Sequence, residues 1–395
     1  MSAIDRCKEQ VRARADDAEG REVVALSRRI HAHPEVAFAE HQAATWCREL
    51  LERHGFEVAG VPGVETAFVA TRRGAQSGPT VGFLAEYDAL PEIGHGCGHN
   101  LVAGAAVGAG VFLAAEMPAL PGTVRVFGCP AEELGAGKLR MLDAGAFAGL
   151  DVALTFHPWH ATALMRACTG LRLFDLIFRG RAAHAAEEPW RGASALDAVL
   201  LTWTNLNALR QFIGDGARIH GIVTDGGQAP NVIPERAACT VGVRAADLRA
   251  LERIAQRLLR CAQAAAMAAD VELEVRELQR LAPVRHNAML GAMVAANLHA
   301  LGESVGEWRA MASTDFGDVS QAVPAVLFAV GAWPPDVAFH TREAAACAGG
   351  DQAMRAMLVA AQTMARTALD LLTDGTVVAA VRAEHRSEAR PHAGA

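Results

Sequence analysis

The alternation of short apolar runs with helix-like segments is the feature that most restricts how this chain can fold. Strand-like runs occur at residues 66–71, 81–85, 123–128 and 152–156. Helix-like segments lie between them at residues 100–115 and 137–144. Strands that alternate with helices form a sheet covered by helices on both faces. The first 170 residues therefore predict an α/β domain, and two helices separated by Pro34 are expected within residues 21–55.

The order of predicted elements changes from about Gly170 onward. The pattern then predicts a strand, a helix, two strands, a helix and a strand, at residues 171–179, 194–212, 218–224, 236–244, 248–268 and 271–277. This β-α-β-β-α-β order is that of the ferredoxin-like unit. A segment of about 110 residues is long enough to fold on its own. We therefore expect a smaller domain inserted into the α/β domain.

The α/β pattern resumes after Pro283, with a strand at residues 325–330 and a long helix at residues 352–372. These segments predict one α/β domain built from residues 1–169 and 281–395, with residues 170–280 inserted between them. Residues 373–395 are rich in Arg, Glu and His, and a mobile tail is expected there.

The charge, apolar runs and cysteines exclude several classes of protein. The net charge is −7, whereas nucleic-acid-binding proteins usually show a basic excess. The longest run made only of apolar and glycine residues, 101–115, is shorter than the roughly 20 residues that span a bilayer, so no membrane segment is expected. None of the eight cysteines forms a C-x-x-C pair. Residues 1–10 lack the apolar stretch of a signal peptide, so a cytoplasmic location is expected.

Four short segments hold most of the side chains that can bind a metal ion. They are AEYDALP with the nearby HGCGHN, PAEE, TFHP and AFHT, at residues 85–100, 130–133, 155–158 and 338–341. Each is expected at or just after a strand. In α/β sheets, ligands bind beyond the carboxyl ends of the strands. The four segments can therefore converge on one site.

Two pairs in these segments indicate chemistry but leave alternatives open. Cys97 and His99 are two residues apart, and in an extended segment both side chains would face the same way. The same spacing would also occur in a glycine-rich turn with a buried thiol, or in a Cys–His hydrolase without metal. Glu132 and Glu133 are adjacent, so one carboxylate can bind metal while the other acts as general base. An exposed acidic turn is the alternative for that pair.

Two further histidines and an aspartate complete the candidate site. His157 and His340 are each weak candidates when taken alone. Together with Cys97, His99 and Glu133 they supply five ligands, with Asp88 behind a histidine as its orienting carboxylate. Five ligands and a water molecule are about what a two-metal site requires.

The inserted domain contributes three candidates that could also be ordinary surface residues. His184 and Asn231 lie in predicted turns and could donate hydrogen bonds to an oxyanion. Arg244 ends a predicted strand and could hold a carboxylate through two parallel hydrogen bonds. The alternative is that His184 and Asn231 are ordinary turn residues and that Arg244 is an ordinary surface arginine.

The combination of motifs identifies a family. The stretches RRIHAHPE, AEYDALPEIGHGCGHN, PAEELGAGKLRMLDAGAF, HAAEEPWRGASALDA, GGQAPNVIPE and STDFGDVS span almost the whole chain in order. With these stretches the chain resembles the aminoacylase–carboxypeptidase G dinuclear metallopeptidases. The branch it is most similar to contains the aminobenzoyl-glutamate hydrolase subunits and the aminoacylase-like dipeptidases. The fold implied is a helix-covered, mixed-sheet α/β catalytic domain with an inserted ferredoxin-like lid and dimerisation domain.

The resemblance implies an enzyme that hydrolyses the amide bond of an N-acyl amino acid, an aminobenzoyl-glutamate-like amide or a dipeptide. The small-molecule substrate would carry a free carboxylate. The implied metal ligands are Cys97, His99, Glu133, His157 and His340, with Cys97 as the bridging ligand. Glu132 would be the general base, and His184 and Asn231 would polarise the scissile carbonyl. Arg244 matches a position near the substrate carboxylate, and the lid histidine implies a homodimer.

One departure from the wider family bears on the two divalent metal ions expected in each protomer. Many relatives begin the metal site with H-x-D, whereas this chain has Glu86-Tyr-Asp88, which suits the cysteine-containing branch. Thiolate and imidazole ligands favour zinc, and the branch also admits manganese or cobalt. A catalytically silent binding protein on the same fold, and a metal-free Cys–His hydrolase, are the alternative functions.

Overall fold

The computed structural model describes residues 2–389 of the chain. The α-helices within these residues are, in chain order, α1 (Ala3–Asp16), α2 (Ala18–Ala32), α3 (His41–Arg53), α4 (His99–Ala114), α5 (Gly137–Asp143), α6 (Ala195–Arg210), α7 (Leu248–Ala268), α8 (Ala288–Ala300), α9 (Phe316–Ala322), α10 (Arg342–Ala348), α11 (Asp351–Thr373) and α12 (Gly375–Ala389). The strands are β1 (Glu57–Val61), β2 (Val64–Arg73), β3 (Gln76–Glu86), β4 (Pro121–Cys129), β5 (Val152–Trp159), β6 (Ala163–Cys168), β7 (Gly170–Arg179), β8 (Ala217–Asp225), β9 (Arg236–Ala245), β10 (Glu272–Leu281), β11 (Gly306–Ala310) and β12 (Ala325–Gly331).

The described residues form two compact units. The first contains the chain up to Arg166, Arg285–Arg309, and the residues from Asp318 onward. The second contains Ala167–Val284 and Ala310–Gly317. The sequence-based division placed the inserted domain at 170–280 and left residues 310–317 in the α/β domain. Residues 310–317 are hydrogen-bonded to the first residues of the second unit, since the Thr169 N–H donates to the carbonyl of Ala312 at 3.0 Å.

The first unit contains a mixed sheet, as predicted, and this sheet has eight strands. The strand order is β1-β2-β4-β3-β5-β12-β6-β11. Neighbours β4, β3, β5 and β12 run parallel, while β1 and β2 pair antiparallel to each other and β2 pairs antiparallel to β4. The parallel strands are almost entirely apolar where they cross the core, as expected for strands covered on both faces. Their carboxyl ends lie side by side at one edge of the sheet.

The central helix of the first unit is α4, which coincides with the long run of apolar and glycine residues. Every residue of α4 is buried, and α2 and α11 pack against it. Gly108 permits the close approach, because a methyl group there would come within 3.0 Å of Val23 and 3.1 Å of Ala361. None of the helices within residues 2–389 combines the length and the low polarity that a bilayer crossing requires.

The second unit has the ferredoxin-like topology that the sequence predicts. Its strands are ordered β10-β7-β9-β8, all neighbours antiparallel. Helices α6 and α7 pack against each other and against this sheet. Strands β8 and β10 are the two edges, and β8 keeps Ile222 65% and Val223 47% exposed.

The expectation of a mobile tail is wrong for residues 375–389, which form α12. Val378 and Val381 are buried against the first unit, at 4% and 0% exposure. The Glu384 carboxylate accepts hydrogen bonds from the backbone N–H groups of Ala288 and Met289 at the start of α8, at 2.6 and 3.1 Å. The segment is polar on average, so its sequence did not indicate that these two valines would be buried and hold the helix in place. The rest of the expected tail, residues 390–395, lies outside the described residues.

We predict that α12 contributes to the stability of the first unit. Truncation after Asp374 removes two buried valines and the Glu384 cap of α8, and should lower the free energy of unfolding by about 3–5 kcal/mol. Truncation after Ala389 is the matched control and should leave it unchanged. Urea titration of both proteins, followed by circular dichroism, measures the difference. Equal midpoints for the two truncations would contradict the role assigned to α12.

Candidate functional site

Parallel strands bring three of the four predicted segments to one edge of the sheet. Glu86 ends β3, Glu132 and Glu133 follow β4, and His157 lies near the end of β5. The fourth segment does not directly follow its strand as expected. His340 lies in the loop between β12 and α10, and its backbone N–H donates to the carbonyl of Gly96 at 3.0 Å. That hydrogen bond joins the His340 loop to the glycine-rich segment that carries Cys97.

Cys97 and His99 converge, although the segment between them is not extended. His99 is the first residue of α4, and Gly98 before it is left-handed, with φ of +81°. A side chain at Gly98 would also come within 2.7 Å of Pro158. The chain therefore requires glycine here, and the turn at Gly98, not strand alternation, brings the thiol and the imidazole together.

Hydrogen bonds with Asp88 fix the orientation of the His99 ring. His99 Nδ1 lies 3.0 Å from both the Asp88 carboxylate and the Asp88 carbonyl oxygen. The second Asp88 carboxylate oxygen accepts from the backbone N–H of Glu133 at 2.9 Å. Asp88 thus ties the His99 ring to the Glu133 segment, and His99 Nε2 is left as the nitrogen available to a metal ion.

Two groups of possible ligand atoms share Cys97. One group contains Cys97, His99 and His157, and the other contains Cys97, Glu133 and His340. Within each group the ligand atoms lie within 4.8 Å of one another. His99 Nε2 and Glu133 Oε1 are buried with no hydrogen-bond partner among the described residues. Buried polar atoms are rarely left unpaired, so these donors fit divalent cations bound by thiolate, imidazole and carboxylate.

The two adjacent carboxylates face different histidines. Glu132 Oε2 lies 3.6 Å from His99 Nε2, and Glu133 Oε2 lies 3.6 Å from His340 Nε2. Ala131, just before them, has a φ of +56°, which is unusual for a residue with a side chain. Its N–H donates to the buried Glu40 carboxylate at 2.8 Å. Glu40 therefore stabilises the turn that aims both carboxylates.

Burial shifts the pKa of two of the possible ligands in opposite directions. Burial and the nearby His99 lower the pKa of His157 to about 4, so its imidazole is neutral near pH 7 and able to bind metal. Burial raises the pKa of the Cys97 thiol above its usual range. A bound cation would reverse that shift, because a coordinating thiol loses its proton.

A buried ion pair beside His99 was not anticipated from the sequence. Lys138 Nζ lies 2.7 Å from Glu86 Oε1, and the two side chains are 0% and 4% exposed. The other Glu86 oxygen lies 3.6 Å from His99 Nε2. Burial alone would raise the pKa of Glu86, but Lys138 and His99 outweigh it and hold the pKa below its usual value. Lys138 is one of two lysines in the chain, which is the signal that could have drawn attention to it.

The three candidates of the inserted domain all lie in the second unit. His184 is exposed, and its Nδ1 accepts from the backbone N–H groups of Ala186 and Glu187, at 3.2 and 3.1 Å. Its Nε2 therefore carries the proton when the ring is neutral. Asn231, also exposed, is brought next to the His184 segment, since its carbonyl accepts from Ala185 N–H at 3.0 Å.

Arg244 has its own hydrogen bonds within the second unit. Its Nη1 donates to Ser313 Oγ at 2.7 Å, and its Nε donates to His220 Nε2 at 3.1 Å. Ser313 opens the STDFGDVS stretch, so two of the sequence motifs meet here. The arginine is half-buried and oriented rather than a free surface side chain.

Comparison with known proteins gives concordant matches. The sequence profile of peptidase family M20/M25/M40 matches residues 82–377. The chain is 36% identical to a mouse Xaa-Arg dipeptidase, over 97% of this chain and 93% of the relative. It is 31% identical to one of the p-aminobenzoyl-glutamate hydrolase subunits of Escherichia coli, over 94% and 93%. A dinuclear metal-binding M20 peptidase from Bacillus subtilis superposes with a TM-score of 0.70 at 22% identity, covering 90% of this chain and 99% of that structure.

We predict that the Lys138–Glu86 pair is required for the stability of the site. Lys138→Met leaves the buried Glu86 carboxylate without this partner and should cost about 3–5 kcal/mol of unfolding free energy. Lys8→Met is the matched control, because Lys8 pairs with Asp370 nearer the surface and should cost about 1 kcal/mol or less. Urea titration of the metal-free proteins measures both. The double variant Glu86→Met/Lys138→Met should recover most of the loss, and no recovery would argue against the pair.

Proposed function

Because this chain belongs to peptidase family M20/M25/M40, whose members hydrolyse amide bonds with bound metal ions, we propose that it is a dipeptidase for substrates with a cationic carboxyl-terminal residue. The donor set that shares Cys97 carries the proposal of a two-metal centre. The relative named Xaa-Arg dipeptidase, 36% identical over nearly the whole chain, supports the substrate class. N-acyl amino acids and aminobenzoyl-glutamate-like amides are the comparison substrates, the latter suggested by the 31% identical relative.

The proposed ligands divide between two divalent ions. Cys97, His99 and His157 would hold one ion, and Cys97, Glu133 and His340 would hold the other, so that Cys97 bridges. Thiolate and imidazole favour zinc, and manganese or cobalt would also suit the carboxylate and imidazole ligands. When bound, such ions polarise the scissile carbonyl and lower the pKa of the attacking water.

Glu132 is proposed as the general base. Its carboxylate lies beside His99 Nε2 and is not among the five proposed ligands. It would accept the proton of the attacking water and pass it to the leaving amine, as one carboxylate can do in both steps. Asp88 would keep the His99 ring oriented throughout.

Residues of the inserted domain are proposed to bind the substrate. The Nε2–H of neutral His184 could donate to the scissile carbonyl oxygen, because Nδ1 already accepts two backbone hydrogen bonds. The side-chain amide of Asn231 would be the second donor. The Arg244 guanidinium would bind the substrate carboxylate, for which its charge and planar shape are suited.

Two observations bear on the alternatives. The raised pKa and burial of Cys97 disfavour a metal-free thiol nucleophile, which must be a thiolate to react. The proposed ligands and the general base are all present in the sequence, as an active enzyme requires and a silent binding protein does not.

A homodimer is proposed to form through the second unit. Edge strand β8 exposes Ile222 and Val223, and α6, which packs against β8, leaves Leu200 53% and Leu201 38% exposed. Exposed edge strands pair readily with another strand, and contiguous apolar side chains mark interfaces. Pairing of β8 with β8 of a second protomer would cover both the edge strand and these apolar side chains.

We predict that the two adjacent glutamates have separable roles. Glu132→Gln should keep both metal ions and lose about 10²–10⁴-fold in kcat, because only the proton acceptor is removed. Glu133→Gln should lose metal as well as activity. Elemental analysis and hydrolysis of alanyl-arginine measure both, and chelation should abolish wild-type activity until metal is restored. A Glu132→Gln enzyme with full metal content and full activity would exclude Glu132 as the base.

We also predict that a charge on edge strand β8 dissociates the dimer. Ile222→Lys places an ammonium group where the second copy of β8 would pair, and sedimentation velocity should then report a monomer. Leu278→Lys on the opposite edge strand β10, where the leucine is 52% exposed, is the matched control and should remain dimeric. Dissociation by Leu278→Lys alone would move the interface to β10.

A further inference from the structure

A pair of stacked tryptophans lies beside the proposed metal centre. The indole rings of Trp159 and Trp308 stack with centroids 4.4 Å apart and an interplanar angle of 15°. The His160 ring also packs on Trp159, with centroids 4.0 Å apart. The imidazole ring of His157, a proposed ligand, has its centroid 6.4 Å from the Trp308 ring centroid. All four belong to the first unit, and both tryptophans are half-buried. The proposed reaction does not use the stack.

The strand geometry explains why the stack is near the site. His157 and Trp159 are two residues apart on β5, so their side chains project from the same face of the sheet. His157 Nε2 lies 3.5 Å from Cys97 Sγ, which fixes that face as the one carrying the ligand atoms. Trp308 reaches the stack from β11 at the sheet edge. The stack therefore lies within a side-chain length of the proposed metal centre.

No arginine of the described residues lies over the stack, and both tryptophans keep part of their surface exposed. Elsewhere in residues 2–389, arginine guanidinium groups lie over four aromatic rings, those of Trp46, Phe68, Phe38 and Phe174. No such arginine contact is found on Trp159 or Trp308 within those residues. At the same edge of the sheet, Arg166 and Glu307 form an ion pair with 3.1 Å between Nε and Oε1. This pair therefore adds no net charge there.

We propose that the Trp159–Trp308 stack is the subsite for the side chain of the substrate, and that it binds a guanidinium or ammonium group by cation–π contact. Indole is the aromatic ring that attracts cations most strongly, and a guanidinium plane also stacks on it. This inference rests on the proposed dipeptidase function and adds the residues that select the cationic substrate. A flat aromatic acyl group could also stack on indole, and the experiment separates the two.

The experiment compares alanyl-arginine with alanyl-citrulline, which has nearly the same shape but no charge. Wild-type enzyme should prefer the arginine dipeptide in kcat/KM. In Trp308→Leu that preference should fall about ten-fold, mostly through KM, as expected for loss of one partly desolvated cation–π contact. Trp308→Phe should fall in between. Phe212→Leu, which removes an exposed aromatic ring of the second unit, is the control and should keep the wild-type preference.

The outcomes are distinguishable from failure of the proposed function. An unchanged arginine-to-citrulline ratio in Trp308→Leu and Trp308→Phe would overturn the subsite, even if the dipeptides are hydrolysed. A larger loss on p-aminobenzoyl-glutamate than on alanyl-arginine would overturn it too, by assigning the stack to an aromatic acyl group. If Trp308→Leu does not fold, the Trp308→Phe ratio decides. Absence of hydrolysis of every amide by metal-loaded wild type would instead refute the proposed function.

Discussion

The burial of acidic groups around His99 is the constraint on which the rest of the site depends. Glu86 and Asp88 are almost fully buried, and Glu132 and Glu133 are half-buried beside the His99 ring. Lys138 supplies one compensating positive charge. Burying carboxylates without full compensation costs several kcal/mol each. Divalent cations would provide the remaining charge, so folding of this edge of the sheet and metal binding are expected to be coupled.

Buried side chains behind the proposed ligands hold them in place. Asp88 holds the His99 ring and the Glu133 backbone at once. Glu40, just before α3, holds the strained turn at Ala131 because its carboxylate accepts a hydrogen bond from the Ala131 N–H. These supports are buried and hydrogen-bonded, whereas the strand ends alone would leave the carboxylates free to rotate. Orienting groups of this kind tune ligands without touching the metal.

The sequence predicted the ligand types and one support, Asp88, but not the supports Glu40 and Lys138. Cysteine, histidine and glutamate after strand-like runs can be recognised locally, because strand ends meet at one edge of a sheet. Glu40 acts on a residue 91 positions away, and no local pattern indicates that. Lys138 follows a short glycine-containing stretch, and nothing in that stretch indicates a buried ion pair with Glu86. Helix α12 was missed because two valines in a polar segment give a weak periodic signal, while its docking depends on Glu384 reaching α8.

The spacing of His157 and Trp159 shows how catalytic and selective residues can come from one strand. Residues at i and i+2 share a face, so a strand that carries a ligand also places a second side chain on the same face of the sheet. In β5 that side chain is an indole stacked on Trp308 from a different strand. Changing the side chain at position 159 or 308 would alter selectivity while the ligands stay in place. A fold of this family could therefore change substrate without rebuilding its metal centre, which agrees with relatives of 36% and 31% identity whose names give different substrates.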